Sequence, residues 1–214
     1  MPEGPELHIS CLSINDCVKG LIFSGKILKS DVSKNPFIDW DQQFYKITAE
    51  SRGKEMKLLL EECSIDKKTK HVKIPKKMSI LFRFGMSGCF KLTTADEIPK
   101  HSHLRFVACK RFTCIFLIIL FIVQRFYTTA CNGSIQVLSF VDPRRFGHWE
   151  VNATWGSDRG PCPILDYEKF RHNVITNLED PAFKNKAICE VLLNQKYFNG
   201  IGNYLRAEIL FRFV

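Results

Sequence analysis

The sequence predicts an α+β fold: a leading helix, an N-terminal β-sandwich, and then the start of a helical region. Three observations predict it. An apolar repeat of period 3.6 opens the chain, short strand-like runs follow it, and helical patterning takes over from Asp166 onward.

The leading helix is expected over Pro5 to Gly20. Leu7, Cys11, Ile14, Val18 and Leu21 recur at spacings of four and three, which places them on one face. Gly20 and Gly25 punctuate its end. Strands are expected at Lys26–Ser30, Phe44–Ala49, Met56–Leu60, Met78–Phe84 and Cys89–Thr93, runs with β-branched or aromatic residues separated by Gly, Pro, Asn and Ser. Such a series suits a sandwich or a barrel. The lysine-rich stretch Asp66 to Lys77 reads as an exposed loop. Trp155–Pro163 reads as a linker, followed by helices at Tyr167–Leu178, Ala187–Gln195 and Ile201–Phe213. The expected division is 1–152 for the β-rich domain, 153–165 for the linker and 166–214 for a partial helical domain. The last helix reaches Val214 without a C-cap signal, so truncation is expected.

Composition narrows the class. With 45% apolar residues the 214-residue chain can bury a core, which excludes global disorder. Lys and Arg outnumber Asp and Glu by 31 to 22, a net charge of +9 that favours a polyanionic partner, nucleic acid before an acidic membrane. Nine cysteines include no C-x-x-C pair, so no thiolate zinc site is indicated, and no secretory signal precedes them. Reduced cytosolic or nuclear thiols are expected. Phe112–Val123 is almost wholly apolar, yet shorter than the roughly 20 residues that span a bilayer.

Five segments carry candidate chemistry. Removal of Met1 would leave Pro2 with a secondary amine, and an α-amino group, with a reference pKa of about 7.7–8.0, is partly unprotonated near neutrality and able to attack electrophilic carbon. Glu3 and Glu6 lie within reach to shuttle protons, although both acids and Pro5 also suit a plain helix start. In Ser51-Arg52-Gly53-Lys54-Glu55, Lys54 sits on a tight turn as a proton donor, a phosphate contact or an ordinary hairpin charge. Gly85 and Gly88 frame Met86, either as a wedge at a loop tip or as a core residue. In Asp142-Pro143-Arg144-Arg145-Phe146-Gly147, two arginines beside an aromatic suit phosphate pairing and base stacking, or solvated arginines beside a core Phe. The turn Asn199-Gly200-Ile201-Gly202-Asn203 can aim backbone N–H groups and the Asn203 amide at phosphate, or simply connect two helices.

Together the segments MPEGPEL, SRGKE, FRFGMSG, HLRF, DPRRFG, RGPC and NGIGNYLRAEIL resemble, in order, the formamidopyrimidine-DNA glycosylase/endonuclease VIII family. The resemblance implies a bifunctional DNA glycosylase with abasic-site lyase activity, acting in base-excision repair on oxidised bases. It implies Pro2 as the Schiff-base nucleophile, Glu3 as catalytic proton donor, Glu6 as a supporting acid and Lys54 as proton donor for β-elimination. Met86, Arg144 and Phe146, with Arg145 beside them, match residues that fill the gap left by a flipped lesion. Asn203 matches a phosphate ligand of a helix–two-turn–helix element. It further implies damaged double- or single-stranded DNA as partner, a monomer, a nuclear location, and no cofactor or metal in this chain, because the family's C-terminal zinc or zincless finger is not present. Residues 106–125 interrupt the resemblance, bracketed by Arg105-Phe106 and Arg125-Phe126, and are expected to be foreign to the fold. Two alternatives stand beside the enzyme: a truncated, catalytically impaired DNA-binding isoform, and a membrane-associated chain anchored through Phe112–Val123.

Overall fold

A computed structural model describes residues 1–40, 42–63, 74–108 and 134–213. Helix α1 (Gly4–Val18) buries Leu7, Cys11, Ile14 and Val18, the face the apolar spacing predicts. It lies against strand β3 (Phe44–Arg52), whose pairing with the short antiparallel strand β1 (Phe23–Ser24) covers only Phe44 and Tyr45. The backbone of Ala49 is therefore left without a neighbouring strand on that side, and the helix supplies one. Asn15 Oδ1 accepts from the Ala49 N–H at 2.7 Å, and Asn15 Nδ2 and Cys11 Sγ both donate to its carbonyl, at 2.9 and 3.0 Å.

Nine strands form two antiparallel sheets among the described residues. The remaining ones are β2 (Leu28–Lys29), β4 (Glu55–Glu62), β5 (Lys77–Arg83), β6 (Cys89–Thr94), β7 (Ser102–Val107), β8 (Gln136–Val141) and β9 (His148–Val151). One sheet runs β1-β3-β4-β5-β9 and the other β2-β7-β8-β6. In β3, Tyr45, Ile47, Ala49 and Ser51 are buried while Lys46, Thr48 and Glu50 face solvent, the alternation of a half-covered strand. The two sheets close over an aromatic core. Phe82 stands 5.2 Å from Phe140 of the opposite sheet and 6.1 Å from Trp149, ring centre to ring centre.

The strands β7, β8 and β9 are absent from the runs the sequence marks. β8 is buried from Val137 to Val141 on both faces, so it has no polar alternation to read. The expected strand at Lys26–Ser30 shrinks to Leu28–Lys29. The proposed foreign segment also needs a later start. Phe106 is fully buried and pairs with Leu138, and Val107 pairs with Val137, so both belong to the sandwich. Residues 109–125, including Phe112–Val123, lie outside the described residues, as does most of the lysine-rich loop. Among the described residues no helix is long and apolar enough to cross a membrane.

Beyond the sandwich come α2 (Tyr167–Thr176), α3 (Pro181–Lys184), α4 (Ile188–Val191) and α5 (Asn203–Phe213). The helix expected over Ala187–Gln195 is a single turn. Gln195 instead wraps the glycine turn: its Nε2 donates to the carbonyls of Leu193 and Ile201, each at 2.9 Å, and its Oε1 accepts from Gly200 N–H at 3.1 Å. The linker is strapped to the β3–β4 turn. Arg52 Nη2 donates to the carbonyls of Arg159 and Gly160 at 3.1 and 3.2 Å, and Gly156 N–H to Glu55 Oε2 at 3.0 Å.

Candidate active site

The site is assembled where three backbones touch. The Gly4 N–H donates to the Gly200 carbonyl at 2.8 Å. A Cβ on Gly200, whose φ is +104°, would lie 3.2 Å from the Cα of Gly53 and 3.3 Å from the Cα of Gly4. Only glycine lets the N-terminus, the β3–β4 turn and the glycine turn before α5 approach this closely.

This contact delivers Glu3 to the start of α5. The carboxylate is 3% exposed and accepts three backbone N–H groups: Gly202 at 2.8 Å and Leu205 at 3.1 Å on Oε2, and Tyr204 at 2.7 Å on Oε1. Helix N-termini carry unsatisfied N–H groups and partial positive charge, so an anion is stabilised there. Gly202 is required as well, since a Cβ there would fall 2.4 Å from Glu3 Oε1. Glu6 reaches back to accept the Glu3 N–H at 2.8 Å. Pro2 then faces an open cleft of about 310 Å³ that Glu6, Met86 and Tyr204 help to line. The sequence offered the α5 N-terminus to phosphate; the structure gives three of its N–H groups to Glu3 and leaves Asn203 exposed beside them.

Lys54 enters from the β3–β4 turn, held by Gly53 at φ +56°. Burial pushes the Lys54 ammonium below its ordinary pKa, the nearby Glu3 carboxylate draws it back up, and the Arg159 guanidinium pushes it further down. Arg159 is fixed by Glu55, a fully buried carboxylate 3.5 Å from its Nε, which also accepts from Arg83 Nε at 2.8 Å. Sequence reasoning passed over Glu55 and Arg159, although both stand inside quoted motifs, SRGKE and RGPC; nothing in either motif shows that they meet.

Met86 is 53% exposed and Phe146 64%, so neither is the core residue that each segment alone allowed. Arg144 and Arg145 are exposed too, and Arg145 adopts φ +59°. The loops carrying Met86 and Arg144 meet, with Arg144 Nη1 3.5 Å from Met86 Sδ. The larger cavity, about 400 Å³, is bordered by Lys34, Arg145, Phe146 and His148 and by none of Pro2, Glu3, Glu6 or Lys54. Pro2, Glu6 and Met86 thus share one cleft, Lys54 feels the Glu3 carboxylate beside it, and Arg144 touches Met86.

A helix-led β-sandwich joined to a glycine turn and helix is the fold class of bacterial Fpg proteins. A crystal structure of wild-type Lactococcus lactis Fpg (MutM) in complex with DNA containing an oxidised pyrimidine superposes with a TM-score of 0.61 at 19% identity, over 98% of this chain and 67% of that one. A complex of inhibited LlFpg with DNA containing N7-benzyl-Fapy-dG gives the same TM-score and identity, over 98% and 66%. Residues 1–149 match the formamidopyrimidine-DNA glycosylase N-terminal domain, and the chain belongs to that family. It is 45% identical to Endonuclease 8-like 1 of Mus musculus and 42% identical to that of Homo sapiens, over 99% of its own length and 48% and 47% of theirs. Formamidopyrimidine-DNA glycosylase of Vibrio atlanticus (strain LGP32) is 27% identical over 99% of this chain and 66% of that protein. The chain thus spans about half the length of the first curated relatives it matches.

Proposed function

We propose that this chain is a bifunctional DNA glycosylase and abasic-site lyase that removes oxidised bases from damaged DNA. The observation that carries the reading is that Pro2 and Glu6 line one cleft with an exposed Met86, while the buried Glu3 between them lies near enough to Lys54 to raise its pKa. With Met1 removed, the neutral amine of Pro2 attacks C1′ of a flipped nucleotide. The base leaves with the glycosidic electron pair and takes a proton relayed by Glu3. The amine proton passes to the ring oxygen as the C1′–O4′ bond breaks with its electron pair on that oxygen, and the iminium ion left at C1′ acidifies the C2′ proton. Removal of that proton expels the 3′ phosphate, and Lys54 supplies the proton this elimination requires. Glu6 holds the backbone beside the nucleophile. Met86, Arg144 and Phe146, with Arg145 adjoining, fill the space the base vacates, and Asn203 contacts phosphate. Amine, carboxylates and lysine suffice for these steps, so no cofactor is invoked. A monomer working on nuclear DNA, duplex or single-stranded, completes the reading.

Borohydride reduction of a mixture with an abasic-site oligonucleotide tests it, because reduction makes an imine permanent. The chain with a free Pro2 terminus becomes covalently linked to DNA, and a preparation that retains Met1 or carries an N-terminal tag does not. Equal trapping by the blocked protein would falsify the role of Pro2. Salt-sensitive DNA binding without any trapping would instead mark the chain as a catalytically impaired DNA-binding protein.

A further inference from the structure

We infer that Asp142 is a positioning residue that locks the Met86 loop and the Arg144–Phe146 loop into one rigid wedge, with Ser87 as the link between them. The inference rests on the reading of these loops as the gap-filling element.

Asp142 is 1% exposed, outside the Pro2 cleft, and its carboxylate is divided between the two loops. Oδ1 accepts from the Ser87 hydroxyl, and Oδ2 accepts from the Gly147 N–H at 2.7 Å. Ser87 Oγ in turn accepts from the Arg144 N–H at 3.3 Å. One hydroxyl therefore bridges the buried carboxylate and the backbone of the arginine that sits beside Met86. The loop backbones also abut: a Cβ on Gly85 would lie 2.7 Å from the Phe146 carbonyl carbon and 2.8 Å from the Gly147 nitrogen. Asp142 is itself anchored. Its N–H donates to the His101 carbonyl at 3.1 Å, and its carbonyl lies 3.0 Å from Nε2 of the buried His103.

A loop tip inserted into stacked bases meets resisting force, and a tip that yields transmits none. Exposed loops of this length otherwise fluctuate. A carboxylate that is buried and hydrogen-bonded on both oxygens binds its partners more strongly than neutral groups do. The arrangement thus makes Met86 and Arg144 advance together, and the chemistry at Pro2 does not require it.

Two variants and two readouts test this on the full chain. Ser87→Ala removes the link without touching the buried acid. Asp142→Asn keeps the shape but weakens the link: Gly147 N–H can only donate, so the amide oxygen stays with it, and the charge-assisted bond from Ser87 Oγ is replaced by a neutral one of reversed direction, from the NH₂ to Ser87 Oγ. In the free protein, amide exchange at both Arg144 and Gly147 is expected to rise about tenfold or more in Ser87→Ala, since each has lost part of a shared restraint. Faster exchange at Arg144 alone would show the loops to be uncoupled and overturn the proposal.

The second readout is 2-aminopurine placed opposite a tetrahydrofuran abasic analogue in duplex DNA. Ser87→Ala and Asp142→Asn are expected to lose about half or more of the fluorescence change, as Met86→Ala does, while Kd shifts by less than about threefold, because phosphate contacts dominate affinity. For Asp142→Asn, borohydride trapping on a single-stranded abasic oligonucleotide, which has no stack to enter, stays at the unaltered level. Full fluorescence change in Ser87→Ala overturns the linkage. Full change in Met86→Ala and Arg144→Ala overturns the gap-filling reading itself, and the linkage with it.

Discussion

Replacing Glu3 by Gln tests whether its carboxylate joins the N-terminus to α5. The side chain keeps its size, loses its charge, and exchanges one acceptor for a donor. Oε2 serves two N–H groups and Oε1 one, so the favoured amide orientation keeps the oxygen toward Gly202 and Leu205. The NH₂ then faces the Tyr204 N–H, donor against donor. One charge-assisted bond is lost, a cost of about 1.5–3 kcal/mol, more when the stranded group is buried. Loss of the anion at the helix terminus adds about 0.3–1 kcal/mol. The total is about 2–4 kcal/mol, which for a chain of this size lowers the thermal midpoint by roughly 5–15 °C. Activity cannot discriminate here, because Glu3 is also the proposed proton donor, so the assays are structural: thermal unfolding by circular dichroism, and hydrogen exchange of the α5 amides in case that helix detaches before the sandwich melts. A midpoint within about 1 °C of the unaltered chain, with unchanged α5 exchange, refutes the reasoning.

Two further outcomes follow from the same site. Burial holds Lys54 below its ordinary pKa of 10.5 and the Arg159 guanidinium adds to the effect, so Arg159→Gln lets Lys54 keep its proton to somewhat higher pH. The alkaline limb of single-turnover β-elimination on a preformed abasic site is therefore expected to move upward from a position below 10.5; a downward move or none counts against Lys54 as the proton donor. Gly53→Ala forces a left-handed φ of +56° on a residue whose Cβ would lie 1.8 Å from Oδ1 of the fully buried Asn199. Asn199 must move and endanger its 2.7 Å bond to the Gly160 carbonyl, so the urea midpoint is expected to fall by the equivalent of about 2–4 kcal/mol, and an unchanged midpoint would deny that the turn is packed this tightly.

Much of this protein is decided by local sequence. The period of Leu7, Cys11, Ile14 and Val18 determines which face of α1 is buried, because a helix returns to the same side every three or four residues. The alternation along β3 does the same for a strand, and Gly53 and Gly85 announce positive φ because little else tolerates it. The motif residues Pro2, Glu3, Lys54 and Met86 are legible one by one, each beside an ordinary structural reading. What local sequence leaves open is which of them meet. The Glu3 carboxylate finds N–H groups about 200 positions away, Asp142 bridges two loops, and Glu55 anchors a distant linker arginine. The strand order β2-β7-β8-β6 and the inclusion of Phe106 in β7 are likewise settled by pairing across the sheet. Periodicity reports only how a segment divides between core and water. Hydrogen-bond partners and burial of charge depend on which segments the closed sandwich brings together, and only the tertiary structure decides that.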